Sequence, residues 1–163
     1  MESMAHIIGF RAEPRQFSWA VVKGSQREPR LIAHDTAVAP IGLDEAPALA
    51  WLRERARLVI EAHKPEGAVL RTPEVVARGG NTDGARRRLR LEGVLLEASQ
   101  SHGLKTTTGA LITISAMLRT RSAKLYLDHD EFRGLDMTTL PKQVREAVLA
   151  AVAGLPPVDS QKP

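Results

Sequence analysis

The chain has 163 residues, 43% of them hydrophobic and 26% charged, a length and composition that fit one domain with helices packed on a sheet. No apolar stretch approaches the roughly 20 residues that span a bilayer, and Met1-Glu2-Ser3-Met4 lacks a basic region ahead of an apolar one, so a cytoplasmic protein without membrane contact is expected. The absence of cysteine excludes disulfides, thiolate metal sites and a cysteine nucleophile, while the formal charge of +4 admits nucleic acid as a partner without demanding it.

In chain order, Ala5-His6-Ile7-Ile8-Gly9-Phe10-Arg11 is a short apolar run of strand length. Glu13-Pro14-Arg15-Gln16 reads as a turn, and Phe17-Ser18-Trp19-Ala20-Val21-Val22 as a second strand rich in aromatic and β-branched residues. A polar connection through Gly24 and Pro29 leads to Arg30-Leu31-Ile32-Ala33-His34-Asp35-Thr36, so three strands in an antiparallel meander are expected. From Asp44 the period changes. Leu49, Leu52, Ala56, Val59 and Ile60 recur at helical spacing and predict an amphipathic helix. The break Lys64-Pro65-Glu66-Gly67 precedes Ala68-Val69-Leu70-Arg71, a buried-type strand expected to pair in parallel with the first because a helix connects them.

Gly79-Gly80-Asn81-Thr82-Asp83-Gly84 reads as a loop with Thr82 and Asp83 as N-cap candidates for a helix reaching about Ser101. That helix carries two apolar stripes. One holds Ala85, Leu89 and Leu96, the other Leu91, Val94, Leu95 and Ala98, so residues 84–101 should be covered both by the sheet and by another helix or a protein partner, a homodimer included. Leu104-Lys105-Thr106-Thr107-Thr108 is β-propensive, and residues 109–120 repeat a helical pattern through Leu111, Ile114 and Leu118. Lys124-Leu125-Tyr126-Leu127 has no decisive pattern, Asp128-His129-Asp130 reads as a loop, and residues 140–153 form a final helix through Val144, Val148, Ala151 and Val152. One domain over 1–154 with a disordered tail over 155–163 is expected.

The order of elements, with several local pieces, resembles the RuvC resolvase branch of the RNase H-like fold. Ile7-Ile8-Gly9-Phe10 is similar to that family's first strand, which ends in an acidic residue where this chain has Arg11. Lys64-Pro65-Glu66-Gly67-Ala68-Val69-Leu70 is similar to its proline-led fourth strand, which ends in a glutamate where this chain has Arg71. Arg90-Leu91-Glu92-Gly93-Val94-Leu95-Leu96, Thr108-Gly109-Ala110 and Glu146-Ala147 resemble the helix behind the site, a strand-to-helix junction and the acidic-alanine step of the last helix. The resemblance implies an α/β, RNase H-like mixed five-stranded sheet with flanking helices. In the family, carboxylates hold two Mg²⁺ ions that hydrolyse a phosphodiester. Guanidinium groups stay protonated and cannot ligate a metal, so the resemblance implies loss of the two-metal nuclease site and no cofactor.

The basic run Arg86-Arg87-Arg88-Leu89-Arg90 lies at a helix start, where it opposes the helix dipole; phosphate contact would account for it, as would a solvated face with Arg88 paired to Glu92 at i,i+4. Arg11 and Arg71 could equally pair with Glu92 or Glu146, or hold an anion. Thr106-Thr107-Thr108-Gly109 is read as strand and cap before an anion site, and Asp128-His129-Asp130 has poor geometry for a metal. With 4% aromatics, a base-stacking platform is not expected, which favours duplex or branched nucleic acid over single strands. Three readings follow. The first is a catalytically degenerate RuvC-like protein that binds nucleic acid, or scaffolds its processing, through Arg11, Arg71, Arg86, Arg87 and Arg90. The second is an active Mg²⁺- or Mn²⁺-dependent nuclease, Holliday-junction-resolvase-like, using relocated acids, Glu13 or Glu74 with Glu92 and Glu146. The third is a purely protein-binding module.

Overall fold

Three strands open the chain: β1 (His6–Glu13), β2 (Gln16–Gly24) and β3 (Pro29–Val38). β1 and β2 are antiparallel and tightly joined, Glu13 pairing with Gln16 across Pro14-Arg15, and β2 pairs antiparallel with β3 with one irregularity at Val21/Val22. The helix α1 (Glu45–His63) then carries the chain back to β4 (Gly67–Arg71), which lies parallel to β1. α1 ends as Lys64 turns left-handed (φ 50°) and its N–H reaches the Ile60 carbonyl at 2.7 Å; proline follows, so no further turn can form. After α2 (Asp83–Ser101) comes β5 (Lys105–Gly109), parallel to β4, giving one mixed sheet in the order β3-β2-β1-β4-β5. The remaining elements are α3 (Leu111–Leu118), a 3₁₀ turn (Ala123–Asp128), the two-residue strands β6 (Glu131–Phe132) and β7 (Leu135–Asp136), and α4 (Lys142–Ala153). This computed structural model describes residues 5–74 and 82–157.

Alternation along β1 divides the core. Ile8, Phe10 and Ala12 face a layer made by α1 and α2, whereas Ile7 belongs to the cluster on the other face, built mainly from α3 and α4. α4 is buried almost all round, because it packs on β1, β2 and β4 and is covered by α3 and the 3₁₀ turn. Gly9 makes this possible: a Cβ there would lie 2.1 Å from the Ala147 carbonyl oxygen, so only glycine lets α4 sit on β1. Among the described residues no helix is long and apolar enough to cross a membrane.

The meander, the parallel β1-β4 pair and the four main helices agree with the sequence expectations, and the differences lie in short pieces. The helix expected over 109–120 is only eight residues long, since Gly109 completes β5 and Arg119 turns left-handed (φ 57°). β6 and β7 are not legible in the sequence; they are two residues each, joined by Arg133 and Gly134 at positive φ (51° and 87°), as a tight hairpin requires. Of the glycine-rich loop, 79–81 lie outside the described residues, and Gly84 already belongs to α2. The tail was expected from 155, but Leu155 is 2% exposed and packs in the α3–α4 core, and the Pro156 carbonyl accepts the Gln26 N–H. Residues 158–163 of the expected tail lie outside the described residues.

On α2, Leu91, Leu95 and Ala98 are buried, with α1 packed alongside. The other stripe is split: Leu96 is partly covered, whereas Leu89 is 66% exposed.

A buried arginine and glutamate cluster at the strand ends

The parallel register makes Arg11 and Arg71 direct partners at the C-terminal ends of β1 and β4. Both follow residues whose alternation puts them on the α4 side, and both meet one side chain of α4, Glu146. Arg11 Nε donates to Glu146 Oε1 at 2.6 Å. Arg71 Nε lies 2.7 Å from the same oxygen, but its N–H is not aligned with the contact, so this is an ion pair without a hydrogen bond. The outer guanidinium nitrogens return to the backbone, Arg11 to the Ala12 carbonyl and Arg71 Nη1 to the Thr72 carbonyl at 2.5 Å. Little water reaches the trio, whose side chains are 16%, 10% and 7% exposed for Arg11, Arg71 and Glu146.

A second pair from α2 closes the cluster. Arg88 Nε donates to Glu92 Oε2 at 3.2 Å, while Arg88 Nη2 is buried without a partner. Burial pushes the Glu92 carboxyl above the ordinary carboxylate range, with Arg88, Arg11 and Arg71 pulling the other way. Burial likewise lowers Arg71 and Arg88, and Arg11 acts on both as a repelling cation. Three guanidinium groups thus share two buried carboxylates.

Glu74 stands at the rim. Its Oε1 accepts the Leu111 N–H at 2.9 Å and lies 3.7 Å from Arg71 Nη2, while Glu13, at the β1–β2 turn, instead accepts from Gln16 Nε2 at 2.8 Å. Glu74 and Glu146 are therefore linked through Arg71, and Glu92 is bound to Arg88. A divalent metal needs several oxygen ligands with free lone pairs converging on one point. Here the acids converge on guanidinium groups, and among the described residues no three His, Asp or Glu side chains are grouped to hold an ion. This donor set does not fit the two-metal site of the family that the sequence resembles.

The remaining basic candidates stand on the outer side of α2. Arg86 is exposed, Arg87 pairs with Asp83 at 2.9 Å, and Arg90 pairs with Glu45 of α1 at 2.7 Å. Thr82 caps the helix by accepting the Ala85 N–H. The cluster does not include them. The sequence reading placed Arg88 only as a partner of Glu92, yet Arg88 lies one turn before Leu91 and Glu92 on the stripe that continues to Leu95, and this spacing was the available sign of its burial. Asp128, His129 and Asp130 do not converge: His129 packs edge-on against Tyr126, and Asp130 lies 3.5 Å from Arg145.

No protein-family model matches the sequence, and neither does any curated protein. Among solved structures, RuvC of Thermus thermophilus in complex with a Holliday junction substrate is similar over 91% of both chains, with a TM-score of 0.73 at 14% identity. A second Thermus thermophilus RuvC structure gives 0.69 at 13% identity, over 91% of this chain and 92% of that one. The yeast mitochondrial Holliday junction resolvase Ydc2 is similar over 91% of this chain and 78% of its own, with a TM-score of 0.53 at 9% identity. The fold is therefore the RNase H-like fold of RuvC.

Proposed function

We propose that this chain, built on the RuvC type of RNase H-like fold, binds duplex or branched nucleic acid without cleaving it, alone or as a scaffold for a processing assembly. The observation that carries the reading is the Glu146 carboxylate held between Arg11 and Arg71, where the resemblance puts metal ligands. An internal cation pair neutralises the one acid that α4 supplies, so no metal is needed to hold the strand ends and α4 together. Nucleic acid is favoured as the partner on two grounds: the RuvC with which this chain shares its fold is bound to a Holliday junction in its solved complex, and Arg86, Arg87 and Arg90 stand along the outer side of α2. The ion pairs of Arg87 with Asp83 and of Arg90 with Glu45 are surface pairs, which exchange readily for phosphate contacts. A homodimer or protein partner at α2 would have Leu89 as its exposed apolar contact.

Titration against duplex, single-stranded and four-way-junction DNA and RNA in Mg²⁺, at several salt concentrations, tests the reading. Salt-steep binding to duplex or junction without cleavage is expected. Cleavage abolished by Glu146→Gln would overturn it in favour of a metal-dependent nuclease with relocated acids, and absence of binding at low salt would leave the protein-binding module.

A further inference from the structure

Beside the buried cluster, a cavity of about 430 Å³ opens at the ends of β4 and α3, bordered by Arg71, Glu74, Leu111, Ser115, Arg121 and Lys124. Three of these residues are cations. Arg71 reaches it from the core, being 8% exposed, with its Nε held against Glu146 and its Nη2 turned toward Glu74, 3.7 Å away. Arg121 and Lys124 are exposed and form no ion pair among the described residues. The start of α3 forms the opposite wall, and its N-cap, Ala110, has no side chain to accept the first free N–H groups.

An oxyanion already occupies this point, and it belongs to the chain. The Glu74 carboxylate takes the Leu111 N–H at 2.9 Å, but it stays 3.7 Å from Arg71, beyond hydrogen-bond distance, with its side chain 44% exposed. It leaves Arg121 and Lys124 unused, so two unpaired cations stand beside Glu74, with Arg71, already held by Glu146, at the inner edge. A phosphate group carries several acceptor oxygens and could meet the α3 N–H, Arg71 and the two exposed cations together. Ser115 takes no part, since its hydroxyl donates to the Leu111 carbonyl and accepts the Ala123 N–H.

We infer that the cavity between Arg71, the start of α3, Arg121 and Lys124 is a phosphate site, and that Glu74 is its resident stand-in, displaced when a phosphate enters. On the reading proposed above, that phosphate is one of the nucleic-acid backbone. Glu74 then acts as a built-in competitor, weakening each encounter until enough other phosphates are engaged.

Glu74→Gln tests this, since the amide oxygen can still accept the Leu111 N–H while the charge is lost. Affinities for a DNA duplex and for pyrophosphate are measured for the wild type, for Glu74→Gln and for Arg121→Ala with Lys124→Ala, with thermal melting as the check on folding. Glu74→Gln should bind duplex roughly fivefold more tightly at fixed salt, because no carboxylate has to be displaced, with a salt slope near that of the wild type since the same phosphates are contacted. The double alanine variant should bind more weakly than the wild type, with a shallower slope. Should Glu74→Gln misfold, the double alanine variant alone decides, and wild-type affinity there overturns the site. If the wild type binds duplex and both variants match it in affinity and slope, the site is refuted while nucleic-acid binding stands. If no polynucleotide binds, yet Glu74→Gln tightens pyrophosphate binding and the double variant loses it, the site stands as one for free phosphates and the nucleic-acid reading fails. Unchanged binding of both probes by both variants refutes the site outright.

Discussion

Glu146 sits between two guanidinium groups with its side chain 7% exposed, so removing its charge strands two cations where water reaches poorly. Losing one partner of a buried ion pair costs about 3–5 kcal/mol, and Arg11's residual exposure argues for the lower end. Glu146→Gln should therefore lower stability by about 3 kcal/mol in chemical denaturation; a loss under about 1 kcal/mol would show that Arg11 and Arg71 find other partners. Glu92 gives a test by pH. Because burial raises its folded-state value above the ordinary 4.5, the folded chain keeps a proton that the unfolded chain has released over the window between the two. The stability due to that proton is full below the unfolded value and is lost as pH rises through the folded one. Glu92→Gln cannot ionise, so melting temperatures measured upward from about pH 4 should depend less on pH than those of the wild type. An undiminished slope would assign the titration to another group.

At the scale of elements, the cluster depends on how closely α4 approaches β1. Gly9 sets that distance, with the Ala147 carbonyl oxygen 2.1 Å and the Ala151 nitrogen 2.6 Å from where a Cβ would lie. Both are backbone atoms of α4, so relief requires the helix itself to move, carrying Glu146 away from Arg11 and Arg71. Gly9→Ala should cost at least about 3 kcal/mol, at or beyond the upper end of overpacking penalties. A melting temperature near that of the wild type would mean that α4 can slide without loss. The helix α2 illustrates a different point. Its two apolar stripes were legible, but not which would be covered: α1 and the sheet took Leu91, Leu95 and Ala98, and Leu89 stayed open.

For the whole molecule, the sheet order β3-β2-β1-β4-β5 places the ends of β1 and β4 side by side under α4, whatever residues occupy them. Acidic side chains at these two positions would thus converge with Glu146. Arg11→Asp combined with Arg71→Glu should make the melting temperature rise with Mn²⁺ through binding to the folded state, while the wild type stays unresponsive. No Mn²⁺ effect in the double variant would mean that the strand ends do not present their side chains to a common point. The sequence by itself determined the strand and helix segments, the parallel β1-β4 connection and the arginines at its two strand ends, because alternation, helical spacing and proline or glycine breaks are local properties of the chain. It did not determine that Arg11 and Arg71 share one oxygen of Glu146, that Arg88 is buried, that Leu155 completes the core, or that Glu74 reaches the start of α3. Those contacts join residues far apart in sequence or depend on which face of a helix is covered, and only the packing of α2, α3 and α4 on the sheet decides them.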